Sequence, residues 1–257
     1  MKENNWFDPF YIQSHLNEEE SNIQKNVRDF CNNELKPRVV ESNRKNEFDQ
    51  DLYPKFGSLG VLGQTVKTHG GSGTSNLAYG LVAYEFEKID SSYRSSISVQ
   101  SSLVIHPINE FGSQEQKDKY LPPLIKGEKI GCFGLTESEA GSDPTSMKTS
   151  FKKTKDGYII NGSKNWITNA PIADIFIIWA IEENKDHKSI KGFIIEKNTE
   201  GLNTSTIENK TSLKISPTGQ IILNNVFVPN NLCLENTEGW KSVFSCLNKA
   251  RFGISWG

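Results

Sequence analysis

The sequence has no long apolar run. Its longest stretch, Ile175–Ile181, is strand-sized, far short of the roughly 20 residues that span a bilayer as a helix. Histidine and cysteine are scarce, at four each. Cys31, Cys132, Cys233 and Cys246 are scattered, with no CxxC pair and no histidine cluster beside them. That pattern favours structural thiols in a reducing cytoplasm over a metal site. Net charge is also nearly absent, at -2, so no basic footprint points to nucleic acid. Neither GxGxxG nor GxxxxGK occurs, which removes the two common phosphate fingerprints. The first residues, Met1–Phe10, lack the apolar core of a signal peptide and the arginine-rich character of a transit peptide. A bacterial cytoplasmic protein is predicted, or a mitochondrial-matrix one if the source is eukaryotic.

What is present divides into two patterns and the start of a third. At 257 residues the chain can bury more than one core. Residues 1–129 read as helical. Asn17 with Glu20 resembles a capping box, and Ile23, Val27, Phe30 and Cys31 then recur on one helical face. Pro37 kinks or ends that helix. Ser75 and Ser91 can cap further helices, the second running past Val99 and Leu103 to about Phe111, and Ser113 with Gln116 starts another. Residues 130–232 change to short β-branched runs, YIING, DIFIIWAI, KGFIIEK and GQIILNNVFVP, bounded by Gly, Asn and Pro. Glu182–Ser189 is polar enough for a hairpin tip. Residues 233–257 begin a helix with Trp240, Val243, Phe244, Leu247, Ala250 and Ile254 as one apolar stripe. The fold class predicted is α+β: an all-α N-terminal domain, an antiparallel β middle domain, and the first helix of a C-terminal bundle whose remainder lies past Gly257.

Three segments carry possible chemistry. Phe133–Asp143 (FGLTESEAGSD) places small residues, hydroxyls and two glycines after a strand pattern. Such a loop either exposes backbone N–H groups to a flat or phosphorylated ligand or is a plain surface turn. Asn161–Asn169 (NGSKNWITN) carries a tryptophan that either stacks on an aromatic cofactor or packs in a β core. Asp90–Ser102 (DSSYRSSISVQSS) surrounds Arg94 with hydroxyls. A lone guanidinium there suits a carboxylate, and the alternative is a solvated helix face. Glu87, two helical turns earlier, is placed to orient Arg94.

Taken together, these segments resemble the acyl-CoA dehydrogenase family. FGLTESEAGSD is similar to its first flavin signature, LTEPxxGSD, with Ser138 in place of the proline and Glu139 also unusual. NGSKNWITN is similar to the second. Within the family, IDSSYRSSISVQSSLV, HPI, YLPPLIKGE and CLNKARFGISWG most resemble the glutaryl-CoA branch, along nearly the whole chain from about Phe7.

The resemblance implies an FAD enzyme. Phe133, Gly134, Leu135, Thr136, Glu137, Ser138, Glu139, Ala140, Gly141 and Ser142 would cradle the flavin, with Thr136 on the ring edge. Trp166, Ile167 and Thr168 would lie on its other side, and Ser142 would also touch the thioester. Arg94 and Ser95 would receive the distal carboxylate of a glutaryl chain, supported by Glu87. Phe244, Ser245, Cys246, Leu247, Asn248, Lys249, Ala250 and Arg251 would line the CoA channel. The implied reaction oxidises glutaryl-CoA at its α,β carbons and decarboxylates it to crotonyl-CoA and CO2, as in lysine and tryptophan degradation. Electrons pass to an electron-transfer flavoprotein, and the full-length enzyme is a homotetramer. No catalytic residue is assigned within the chain, because the family's base glutamate is expected beyond Gly257. Glu85, Glu87, Glu110, Glu137 and Glu139 do not match it. Two other readings stay open: a non-catalytic flavin- or acyl-CoA-binding fragment, and a dehydrogenase of another short acyl chain.

Overall fold

The computed structural model describes residues 8, 11–185 and 189–257. The reading of Met1–Phe10 therefore lies almost wholly outside the described residues, as does part of the Glu182–Ser189 tip.

The first half is helical for the reasons its sequence suggests. α1 (Glu18–Phe30) opens on a complete capping box. Asn17 Oδ1 accepts from the Glu20 N–H at 2.9 Å, and Glu20 accepts in return from the Asn17 N–H at 3.2 Å. A π-helical turn at Cys31–Leu35 follows, Pro37 breaks the run, and α2 (Val39–Lys45) begins. α3 (Leu52–Ser58) supplies Tyr53 and Phe56 to an aromatic core with Phe30, Phe48, Phe86 and Tyr93. α4 (Asn76–Glu87) is capped by Ser75 and packs on α1. Its buried Glu85 accepts from Gln24 at 2.8 Å and from Arg28 at 3.0 Å.

One helical run then crosses the molecule in three pieces: α5 (Ser91–Ser98), a π-helical stretch Val99–Ile105, and α6 (His106–Phe111). Its cap is Asp90 rather than Ser91. His106 opens α6, and Pro107 falls in a first turn, where its missing N–H is tolerated. α7 (Gln114–Ile125) begins with the second capping box, Ser113 with Gln116.

The second half is a single sheet of seven strands: β1 (Gly131–Gly134), β2 (Ser150–Lys153), β3 (Gly157–Thr168), β4 (Ile175–Glu182), β5 (Ile190–Glu196), β6 (Leu202–Thr206) and β7 (Thr218–Pro229). It is mainly antiparallel, as predicted. β4, however, pairs in parallel with both β1 and β2. That explains the unbroken apolar run of β4, which is buried on both faces. Ile175, Ile177, Trp179 and Ile181 face the helices, while Phe176, Ile178 and Ala180 face a second core within the β domain. α8 (Trp240–Ile254) returns to the helical side and buries Val243, Cys246, Ala250 and Gly253. All four cysteines are buried thiols. No helix of the described residues is long and apolar enough to cross a membrane.

Candidate functional site

The three sequence segments converge on the seam between the helical run and the sheet. β1 leads directly into Leu135 and Thr136. β3 brings Trp166, Ile167 and Thr168 alongside, and the π-helical stretch presents Val99 and Leu103. With Phe133 and with Leu247 of α8, these residues line a cavity of about 160 Å³. A second cavity of about 400 Å³ lies beyond, sharing Trp166 and Thr168 and walled by Lys210–Leu213.

Trp166 is displayed rather than buried, with 59% of its surface exposed. The cause is a register shift between Lys164 and Ile167 against β7, with Trp166 at φ 60°. A bulge of this kind re-aims a side chain. The core-packed alternative for this tryptophan is therefore set aside. Ile167, its neighbour, turns inward and belongs to the second core. Because Trp166 is exposed, Trp166→Ala is expected to change folding stability by no more than about 0.5 kcal/mol. The same variant should lose most of the fluorescence response to any aromatic ligand in the cavity. A urea melt and a ligand titration check the two halves.

The side chains of the Phe133–Ser142 segment do not all face the same way. Leu135 and Thr136 face the cavity. Gly141 and Ser142 are exposed at the loop's outer part, and Ala140 is buried. Ser138 accepts from Asn165 Nδ2 at 3.2 Å, and the exposed Glu139 pairs with Lys148. Glu137 is turned away from the cavity. It accepts from Lys164 Nζ at 2.9 Å and from the backbone N–H groups of Lys148 and Thr149 at 2.7 and 2.9 Å. Burial pushes its carboxyl pKa up, but the Lys164 charge and these donors outweigh that and hold it low. The carboxylate of Glu137, a residue of the segment expected to cradle the flavin, is thus committed to an internal ion pair. The warning lay in Lys164 itself, a lysine at an inward position of β3.

Phe244–Arg251, expected to line one channel, are spread around a helix, which cannot turn eight consecutive residues one way. Leu247 lines the cavity at the seam. Cys246 and Ala250 are buried. Ser245, Asn248 and Lys249 line a different cavity of about 560 Å³, with His106, Glu110 and Phe252. Arg251 is exposed and bonds Asn248, and Phe244 is half-buried against Trp240.

Arg94 sits on α5 with its side chain 12% exposed. Glu87 accepts from its Nε at 2.6 Å and is itself held by the Ser91 hydroxyl. The terminal Nη groups of Arg94 have no hydrogen-bond partner among the described residues. Ser92, Tyr93, Ser96, Ile97 and Ser98 are buried, Arg94 is partly open, and Ser95, Val99 and Leu103 form a partly open stripe at four-residue spacing. Val99 lies about 7.5 Å along the helix from Arg94 and roughly 140° around it, and Val99 lines the cavity.

The cavity walls suit a flat ring with a polar edge. Apolar faces come from Val99, Leu103, Leu135 and Leu247. The hydroxyls of Thr136 and Thr168 have no side-chain partner among the described residues. No carboxylate lines the cavity.

Residues 17–128 match the acyl-CoA dehydrogenase N-terminal domain, and residues 132–226 match the acyl-CoA dehydrogenase middle domain. The chain is 36% identical over 243 residues to a short-chain-specific acyl-CoA dehydrogenase of Clostridium acetobutylicum, covering 93% of this chain and 64% of that protein. It is 35% identical over 249 residues to the mitochondrial isovaleryl-CoA dehydrogenase of Pongo abelii, covering 94% and 59%. A Mycobacterium smegmatis glutaryl-CoA dehydrogenase in complex with FADH2 superposes with a TM-score of 0.93 at 40% identity, over 96% of this chain and 63% of that one. Butyryl-CoA dehydrogenase from Megasphaera elsdenii superposes with a TM-score of 0.88 at 34% identity, over 94% and 65%. The chain thus spans a little under two thirds of the length of these relatives. Its helical half, its sheet and the seam between them are those of one family, and the chain belongs to the acyl-CoA dehydrogenases.

Proposed function

We propose that the chain holds FAD between Thr136 and Trp166–Thr168, and that the enzyme it belongs to oxidises glutaryl-CoA or a similar short dicarboxylic thioester. The observation that carries the substrate is Arg94. It is a nearly buried guanidinium, pinned by Glu87 on one edge with its fork unpaired, on the helical run that presents Val99 to the cavity. A buried cation without a second partner has little use beside a neutral acyl chain. A planar fork suits a carboxylate.

Within this reading the chain's own residues bind and orient. Val99, Leu103 and Leu247 exclude water from the acyl chain. Thr136 and Thr168 offer hydroxyls to the polar edge of the ring, and Ser95 stands beside Arg94 for the distal carboxylate. FAD, when bound, supplies the acceptor for the hydride leaving C3. The C2 proton requires a carboxylate that none of the cavity-lining residues provides, so the proposal assigns the base to no residue of this chain. Loss of the distal carboxylate as CO2, with a proton taken up at the carbon it leaves, would then give crotonyl-CoA. Electron-transfer flavoprotein as acceptor, a homotetrameric whole enzyme and a bacterial cytoplasm belong to the same proposal.

The carboxylate-free cavity favours a second reading for the 257-residue chain taken alone: it binds ligand without turning it over. The expected result is FAD binding, seen as quenched flavin fluorescence, with no crotonyl-CoA from glutaryl-CoA. Crotonyl-CoA formed by the purified chain would refute the assignment of the base elsewhere. Failure to bind FAD would refute the cofactor site.

A further inference from the structure

Beneath the cavity lies a charged pair that faces no ligand. Lys164 is fully buried on β3 and Glu137 nearly so. Lys164 Nζ donates to the Leu135 carbonyl at 3.0 Å and to Glu137 Oε1 at 2.9 Å. These are the residues on either side of Thr136. The Asn165 N–H then donates to the Thr136 carbonyl at 2.9 Å. Two consecutive residues of β3 therefore hold three consecutive residues of the opposite wall. Gly134 makes the crossing possible, because a Cβ there would lie 3.2 Å from Lys164 Cγ and 2.5 Å from Ile178 Cδ1.

A buried ion pair is a costly way to join a strand to a loop, and an apolar pair of similar volume is often as stable. What the ion pair adds is direction. We propose that Lys164 and Glu137 are positioning residues of the cofactor site, their pair setting the separation between the Thr136 wall and the Trp166–Thr168 wall that a flavin ring must enter. This inference rests on the cavity being the FAD site.

A pH signature separates positioning from bulk stability. Among the described residues, Glu137 is the charged group that faces Lys164. β4 and β7 bring Ile178 and Ile221 near it, Met147 Sδ is 3.9 Å away, and Lys148 and Glu139 pair with each other at the surface. Burial lowers the lysine from 10.5 to about 8, with Glu137 opposing. The unfolded chain therefore keeps this proton to higher pH. The lysine's contribution to folding stability is fully present above its unfolded value and is lost as pH falls through its folded one. The clamp behaves oppositely, since it needs the charged lysine and weakens as pH rises.

The test measures the FAD dissociation constant by fluorescence quenching for the wild type, Lys164→Met, Glu137→Gln and Glu85→Gln, with thermal melts alongside. Glu85→Gln breaks a buried pair remote from the cavity. Lys164→Met is expected to weaken FAD at least tenfold, while Glu85→Gln, though it also lowers the melting temperature, keeps FAD within twofold of wild type. Wild-type FAD affinity should fall as pH rises from 7 to 10. In Glu137→Gln that fall should move to lower pH, because the lysine has lost the carboxylate that holds its proton. Should Lys164→Met not fold, the wild-type and Glu137→Gln titrations decide alone, and superimposable profiles overturn the proposal. Unchanged FAD binding in a folded Lys164→Met overturns it and leaves the cofactor reading standing. A wild-type chain that binds no FAD overturns both.

Discussion

Arg94→Met will weaken glutaryl-CoA binding to the FAD-loaded protein by about 10- to 150-fold and leave butyryl-CoA nearly unaffected. The range corresponds to the ~1.5–3 kcal/mol of a hydrogen bond to a charged group. Methionine keeps much of the stem volume, so the loss falls on the charge. Glu87 then loses the guanidinium but keeps the Ser91 hydroxyl, which limits the structural cost. The measurement is calorimetric titration of both thioesters against both proteins. Equal losses for the two ligands would mean that Arg94 supports the helix and does not read the substrate. A wild type that prefers butyryl-CoA would remove the dicarboxylate assignment outright and favour the short-chain alternative.

Gln100→Leu will destabilise the fold by at least about 3 kcal/mol, the largest effect expected of any single polar substitution here. Gln100 is fully buried one residue after Val99. Its Nε2 donates to the carbonyls of Leu124 and Lys129 at 3.0 and 2.9 Å, and its Oε1 accepts from the Gly131 N–H at 2.8 Å. One side chain therefore satisfies three backbone groups where α7 ends and β1 begins. Leucine matches the size and leaves all three unsatisfied, each costing about 1–3 kcal/mol. Urea unfolding should show a lower midpoint, and FAD affinity should fall with it, because Gly131 begins the strand that carries Thr136. A loss below 1 kcal/mol would show that the junction relaxes or admits water.

Much of this protein was legible from its residues. Helix starts were local events: Asn17 with Glu20 and Ser113 with Gln116 satisfy their own first-turn donors within four residues, so the sequence alone determined where α1 and α7 begin. The unbroken apolar run of β4 and the family's two flavin-like segments were likewise readable, and they placed the cavity's opposing walls on β1 and β3.

Directions were not legible, because they depend on partners far along the chain. Local pattern favours a core position for Trp166, and the bulge against β7 turns it outward. Glu137 sits in the middle of a motif whose resemblance implies a flavin cradle. Lys164, 27 residues later, draws it inward instead, since a buried lysine needs a carboxylate more than the cavity does. The eight residues from Phe244 to Arg251 formed one segment in sequence, but helical periodicity sends them to two cavities and a core. The sequence by itself determined the fold class and the presence of a lone arginine among serines. Only the tertiary structure decided that Arg94 keeps its fork free, with Glu87 on one edge and a cavity one helical turn and a half away, because side-chain direction is fixed by packing and charge pairing rather than by spacing alone.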